Sequence, residues 1–464
     1  MAERNDDPRA DTFDEALGTA STLADRWLRG MRDAPIPPTA GIDRVKDALG
    51  RDLPARGATA PEVLHRLADA VEPGLMRMHS PRFYGWVIGG AQPVALGADW
   101  LVSSWDQNAV IRSVTPGVVA AEELAASWLL ALLGLPADAE VGFVTGATMA
   151  NLVGIVTGRD RVLRDAGWDV RANGLAGGPR VRVLAGAEVH VSVDEAARYA
   201  GLGMPTRVDS DDQGRMCLDP LRAALAADSA PTIVALQAGN VHSGAFDDLA
   251  AAIEIAHQAG AWVHVDGAFG LWAAAAPGLS SLTAGLAGAD SWGTDAHKTL
   301  NVPYDSGIAI VADGAALHAS FSQVAAYLPS STDVSDPSDR VPELSRRARG
   351  VPVWAALARL GSEGVADLVQ GLADAARELA DGLRAVPGVS ILNDVVYTQV
   401  CVSFGDDDRT RAVAAALDDA GGVFASPSRW RDRAVLRFSV SNWLTDHDEV
   451  RRTVDAVRAA VDTL

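Results

Sequence analysis

Apolar residues recur along this chain in two periods, and the change between them marks its organisation. Up to about residue 80 the period is helical, interrupted by Pro and Gly: residues 13–32 read as one helix ended by APIPPTAG, residues 42–49 as a second and residues 61–70 as a third, with Thr59 placed to cap it. This run predicts an N-terminal helical arm over residues 1–80. Residues 93–106 and 120–135 are again helical in period, and the Gly- and aromatic-rich stretch SPRFYGWVIGGAQP precedes them. From residue 141 the pattern changes. VGFVTG, VRVLAG, TIVALQAG, AWVHVDG, DSWGTDAHK and SGIAIVA are short, continuously apolar runs, with Ala-rich helical stretches between several of them. Continuous rather than alternating apolarity is the mark of strands buried on both faces of a largely parallel sheet. The predicted fold class is α/β, a mostly parallel doubly wound sheet forming a large domain over residues 81–360.

Residues 326–343, AYLPSSTDVSDPSDRVPE, have no apolar period and read as a mobile loop. Beyond them, helical stretches at 352–361 and 365–385 lead into the strand-like VSILNDVVYTQVCVSF, a further helix, the strand AVLRFSVS and a last helix from residue 446. These predict a small C-terminal α/β domain over residues 361–464.

Composition narrows the function. The 464 residues are 48% hydrophobic and 22% charged, with 40 Lys and Arg against 60 Asp and Glu, a formal charge of −20. Such a surface repels nucleic acid and anionic membranes, so the expected partner is a small molecule. Cys217 and Cys401 are too few for a disulfide framework, and the start MAERNDDPRADTFDEA has neither a basic region nor an apolar run, which together predict a cytoplasmic protein. The apolar stretch at 123–135 is short and Ala-rich, so no membrane span is expected. No metal site is expected either.

The residues with chemistry fall at strand ends. Lys298 closes the apolar run DSWGTDAHK, in a chain whose positive charge comes mostly from arginine. A lysine in an apolar setting favours the neutral, nucleophilic amine. Asp266 ends the strand AWVHVDG, 32 residues earlier, at the carboxyl end where open α/β sheets place their ligands; it can pair with a buried cation or cap the helical stretch that follows. VTGATMANLVG reads as strand, turn and helix, so amides at the helix start together with the Thr148 hydroxyl can hold a phosphate. His190 stands at another strand-to-helix junction, in a position to stack on a ring or to serve structure alone. A lysine for an imine, a carboxylate for a pyridine nitrogen, a phosphate cradle and a lid on the ring are the parts a pyridoxal-5′-phosphate enzyme requires.

The strings TGATMAN, HVSVDEAARYAG, HVDGAFG, DAHKTLNVPYDSG and SRRARGVPVW occur in this order, and the chain resembles the group II pyridoxal-dependent amino-acid decarboxylases, the aromatic-amino-acid and tyrosine decarboxylases among them. The likeness runs from about His79 to Asn442. It implies a fold-type I enzyme that decarboxylates an L-amino acid, with Lys298 as the imine lysine, Asp266 as partner of the pyridine nitrogen and His190 stacked on the ring. It further implies that Ala147 and Thr148 bind phosphate, that Ala268 packs under the ring and that His297 lies beside the imine and phosphate. Family members are obligate homodimers with composite sites, so residues 105–111 are expected to reach the neighbour's site. HSPRFYG resembles the family's substrate loop, with Phe83 and Tyr84 as walls; with Trp86, Trp105 and Trp354 they suggest an aromatic or bulky apolar substrate.

Two features keep other outcomes open. The family's mobile loop carries a tyrosine that protonates the carbanion left by CO2, whereas residues 330–343 contain none and the nearest, Tyr327, precedes them. Decarboxylation coupled to oxidative deamination, giving an aldehyde, is therefore an alternative. Arg437, in AVLRFSVSN, stands where related enzymes clamp the substrate α-carboxylate. A tight clamp works against loss of that group, so an aminotransferase, a lyase or an aldolase remains open as well.

Overall fold

The computed structural model describes residues 12–322 and 335–464. The N-terminal arm holds three helices, α1 (Phe13–Arg29), α2 (Ile42–Leu49) and α3 (Ala60–Val71), close to the spans that periodicity predicts. Thr12 caps α1 by accepting from the Glu15 amide at 3.3 Å, and the Thr59 amide before α3 donates to Glu62 Oε2 at 3.1 Å. A two-residue strand β1 (Phe83–Tyr84) follows, then α4 (Pro93–Trp105) and α5 (Pro116–Leu133). By length and composition α5 could cross a membrane. Its apolar residues are used otherwise: Val119, Ala125, Leu129 and Leu133 are in the core, and Glu122 in its middle makes a buried bidentate pair with Arg346 at 2.8 and 2.7 Å.

The large sheet is built from β2 (Glu140–Val144), followed by helix α6 (Ala147–Asp165), then β3 (Arg182–Gly186), β4 (Thr206–Val208), β5 (Thr232–Gln237), β6 (Trp262–Asp266), β7 (Ser291–Asp295) and β8 (Gly307–Val311). Its seven strands lie in the order β2-β8-β7-β6-β5-β3-β4, and only β8 runs against its neighbours. Strands β5 to β8 are buried along their whole length, which accounts for the apolar runs of β5 and β8 and for the few charged residues, all at strand ends, in β6 and β7. The edge strand β4 escapes a reading by periodicity because it has three residues, two of them exposed.

The second sheet contains β9 (Ser390–Ile391), β10 (Gln399–Ser403), β11 (Phe424–Trp430) and β12 (Arg433–Ser439), with β1 pairing in parallel on the outer edge of β11. Thus β1, though early in the chain, belongs to the small sheet. Strand β11 is hidden in sequence by Pro427, which is tolerated because the two-residue β1 leaves that stretch of β11 without an outer neighbour. Between the two sheets runs helix Gly350–Arg384, broken at Gly361 where φ is 64° and ψ is 179°. The two helical periods predicted at 352–361 and 365–385 meet at this break. Tyr327 and residues 330–334 lie outside the described residues.

Candidate active site

The carboxyl ends of β2, β6 and β7 bring the candidate residues together. Asp266, the last residue of β6, is buried, and each group touching its carboxylate has a hydrogen to offer: the Ala268 amide to Oδ1 at 3.1 Å, Asn151 Nδ2 to Oδ2 at 3.0 Å and the Ser192 hydroxyl 3.3 Å from Oδ2. Donors on all sides suit an anion; each such charge-assisted bond contributes about 1.5–3 kcal/mol. The helix-capping alternative for Asp266 is not realised, because the next helical turn, Gly270–Ala275, starts from Phe269 without a side-chain cap.

Lys298 follows β7. Its surroundings are less apolar than the sequence suggests, since Nζ lies 2.9 Å from Oδ2 of Asp295, a buried carboxylate that the sequence reading overlooked. The other oxygen, Asp295 Oδ1, is buried with no hydrogen-bond partner among the described residues. Beside it, His297 accepts from the Ser306 amide through Nδ1 at 3.2 Å, which leaves the ring proton on Nε2, 3.5 Å from Asp295 Oδ2. Burial holds the His297 pKa below the ordinary histidine value, outweighing the pull of Asp295. Tyr304 stacks on the same ring with centroids 4.2 Å apart.

The backbone of Lys298 is held from two directions. Asn301 Oδ1 accepts from the amides of Gly90 at 2.7 Å and Trp443 at 3.1 Å, and its Nδ2 faces the carbonyls of Lys298, Thr299 and Ser441 at 3.2, 2.8 and 3.0 Å. Asn301 thereby ties the lysine turn to the segment after β1 and to the small domain. Gly89 is required by this closeness: a Cβ there would lie 2.1 Å from the Lys298 carbonyl oxygen.

At the end of β2, α6 opens at Gly146 with no side-chain cap, so the amides of Ala147 and Thr148 have no intrahelical acceptor and face outward with the helix dipole behind them. A Cβ on Gly146 would be 3.5 Å from both Asp295 Oδ1 and His297 Cε1, which places this helix end against the lysine turn. Ala268 lies between, its carbonyl accepting from the Asp295 amide at 2.9 Å.

His190 caps the helix Val191–Tyr199, with Nδ1 accepting from the Ser192 amide at 3.2 Å and lying 2.7 Å from the Ser192 hydroxyl. The ring is exposed, yet the packing around it lowers its pKa by desolvation, with Asp266 acting in the opposite sense and Lys298 and Arg437 reinforcing. His190 thus caps its helix through Ser192, whose hydroxyl also reaches Asp266. Arg437 is buried on β12; Nη1 donates to the Val241 carbonyl at 2.8 Å and Nε has no partner among the described residues. Desolvation lowers its pKa to about 10. His242, also unremarked in sequence, adjoins it and hydrogen-bonds Ser428 at 3.0 Å.

The two aromatic walls expected at Phe83 and Tyr84 require correction. Tyr84 is fully buried in the small-domain core, its hydroxyl 2.8 Å from Thr453 Oγ1 and its ring edge-on to Phe438. Phe83 stacks on Phe424 at 5.2 Å. The two side chains leave opposite faces of β1 and both are buried, whereas Trp86, just beyond, is half exposed.

The pyridoxal-dependent decarboxylase conserved domain matches residues 43–404. Over 485 residues the chain is 25% identical to tryptophan decarboxylase 1 of Oryza sativa subsp. japonica, covering 97% of this chain and 93% of the relative. It is 27% identical over 337 residues to the aromatic-L-amino-acid decarboxylase of Bacillus atrophaeus, covering 70% of this chain and 68% of the relative. The fold matches the crystal structure of Oryza sativa TDC with PLP and tryptamine at a TM-score of 0.91, over 100% of this chain and 99% of that one, with 22% sequence identity.

Proposed function

The chain belongs to the pyridoxal-dependent decarboxylase family, and from that premise we propose that it decarboxylates L-amino acids with aromatic or bulky apolar side chains, as a cytoplasmic homodimer. It is a fold-type I carboxy-lyase that uses pyridoxal 5′-phosphate. The observation that carries the site assignment is convergence: Lys298 Nζ lies 2.9 Å from Asp295, whose carboxylate stands against the uncapped start of α6, and Ser192 links His190 at 2.7 Å to Asp266 at 3.3 Å. The residues fit the cofactor. Lys298 would hold it covalently, Asp266 would face the pyridine nitrogen, and Ala147 and Thr148 would take the phosphate at the uncapped start of α6. His190 would cover one ring face, Ala268 the other, and His297 would stand beside the phosphate. Bound there, pyridoxal phosphate supplies the sink for the electrons that departing CO2 leaves behind.

The protein's own part is positioning and charge. Arg437, with a free Nε–H in a desolvated setting, is suited to orient the substrate α-carboxylate. Trp86 takes over as a wall for the side chain, supported by its half-exposed place just before Gly89 and by left-handed backbone at φ 51°, strain of the kind that collects at functional sites. The relatives' names support an aromatic substrate. The homodimer is supported by apolar side chains left exposed along α4 and α5, namely Trp100, Leu101, Trp105, Leu124 and Trp128, and by the exposure of residues 105–108. The cytoplasmic placement is supported by two cysteines that are both free. The division into residues 1–80, 81–360 and 361–464 is retained, with β1 assigned to the small sheet.

Holoenzyme incubated with the twenty amino acids and several modified aromatic ones, with CO2, amine, ammonia and hydrogen peroxide followed together, tests this reading. Amine and CO2 in step from aromatic substrates are expected. A positioned acid contributes about 10²–10⁴-fold to a proton transfer. Because residues 330–343 lack a tyrosine, a minor aldehyde, ammonia and peroxide fraction is expected in air and should fall under nitrogen. Keto acid with the carboxylate retained would refute decarboxylation.

A further inference from the structure

Behind Asp266 lies a row of buried polar side chains leading away from the cleft. Trp262 Nε1 is 3.0 Å from Ser291 Oγ, which is 2.9 Å from His264 Nδ1; His264 Nε2 is 3.0 Å from Asn151 Oδ1, and Asn151 Nδ2 is 3.0 Å from Asp266 Oδ2. All five residues are buried, Asn151, His264 and Ser291 completely. The two ends decide the direction of every bond between them. An indole N–H can only donate and a carboxylate can only accept. Trp262 therefore donates to Ser291, whose hydroxyl hydrogen goes to His264 Nδ1. The ring proton then lies on Nε2 and is given to Asn151 Oδ1, and the amide group of Asn151 is turned with its hydrogens toward Asp266. Burial keeps His264 neutral, with its pKa lowered to about 4, as this arrangement requires.

The packing makes room for this row at specific positions. A Cβ on Gly154 would lie 2.3 Å from His264 Nδ1, one on Gly158 2.5 Å from the Trp262 ring, and one on Gly293 2.6 Å from Asn151 Oδ1. Two of these glycines sit on consecutive turns of α6, on the face against β6. Packing of apolar side chains would have filled this space at less cost, because buried polar groups must be fully paired.

We propose that His264 and Asn151 are positioning residues for Asp266: the row from Trp262 fixes the Asn151 amide with its hydrogens toward Asp266 Oδ2 and the Ser192 hydroxyl, and so holds Asp266 as the anion that keeps the cofactor's pyridine nitrogen protonated. The proposal rests on the reading of Asp266 as partner of that nitrogen. Without His264 the Asn151 oxygen loses its donor, and only the contact with Ser192 still favours turning the amide hydrogens toward Asp266.

The test uses holoenzyme reconstituted with pyridoxal phosphate carrying 15N in the ring, whose NMR shift reports protonation of that nitrogen, together with kcat and KM. Wild type should show a protonated ring. His264→Leu should move the signal toward neutral pyridine and lower kcat about tenfold with KM little changed, while His264→Gln, whose amide can still donate to Asn151, should recover both. A leucine variant with the wild-type signal and kcat, or a glutamine variant no better than leucine, overturns the proposal. Should His264→Leu not fold, Ser291→Ala releases the His264 tautomer, and a smaller move in the same direction is expected; an unchanged signal overturns the proposal. A neutral ring in the wild type would remove Asp266 as its partner and this inference with it, which separates the two failures.

Discussion

Lys298 and Lys46 are the only lysines in the chain, and Lys46 lies on α2 in the N-terminal arm. Borohydride reduction followed by peptide mapping should therefore place the cofactor on Lys298, and Lys298→Ala should yield no reduced adduct and no turnover; an adduct on Lys46 would displace the assignment. Asp266→Asn exchanges a carboxylate that accepts on both oxygens for an amide that must turn N–H groups toward Asn151 or Ala268. Cofactor should remain bound while kcat falls by orders of magnitude, and a near-normal rate would reduce Asp266 to a structural role. At this scale Lys298, Asp266 and His190 stood out as candidates because few residue types can do what is proposed for each. Asp295, Asn151 and His264 lay inside the same strings but were silent, since a buried polar residue next to a catalytic one has no sequence mark of its own. Phe83 and Tyr84 were misread because an aromatic side chain in a pocket wall and one in a core have the same composition and period.

Helix α6 shows how an element carries information that its own propensity does not. Gly154 and Gly158 weaken the helix intrinsically, by about 1 kcal/mol each relative to alanine, yet alanine at Gly154 would meet the His264 ring at 2.3 Å. Gly154→Ala should lower stability by about 1–3 kcal/mol through overpacking. Gly371→Ala, in helix Gly350–Arg384 with nothing within 4 Å of the added carbon, should raise stability by up to about 1 kcal/mol. Denaturant midpoints of the two variants check the contrast, and equal signs would mean that helix propensity rather than the contact governs α6. The long, continuously buried strands were readable from sequence because burial on both faces leaves an unbroken apolar run. Strands β4 and β11 were not, one being short and half exposed and the other interrupted by Pro427, whose tolerance depends on a partner strand some 340 residues away in sequence.

For the whole molecule, the exposed tryptophans of α4 and α5 predict the assembly. Light scattering should report a dimer at assay concentration, and Trp105→Glu together with Trp128→Glu should yield a monomer with little activity; an active monomer would dismiss the composite site. From composition, period and a few strings alone, the chain declared its α/β class and its cofactor and singled out Lys298 as the candidate imine lysine, since each follows from local chemistry: burial on two faces, donors at a helix start and a scarce amine at a strand end. The tertiary structure alone decided that Phe83 and Tyr84 are buried, that Asp295 accompanies Lys298, that β1 joins the small sheet and that a buried polar row ends on Asp266. Those depend on which distant segments meet, and pairing between residues hundreds of positions apart leaves no periodic trace in either one.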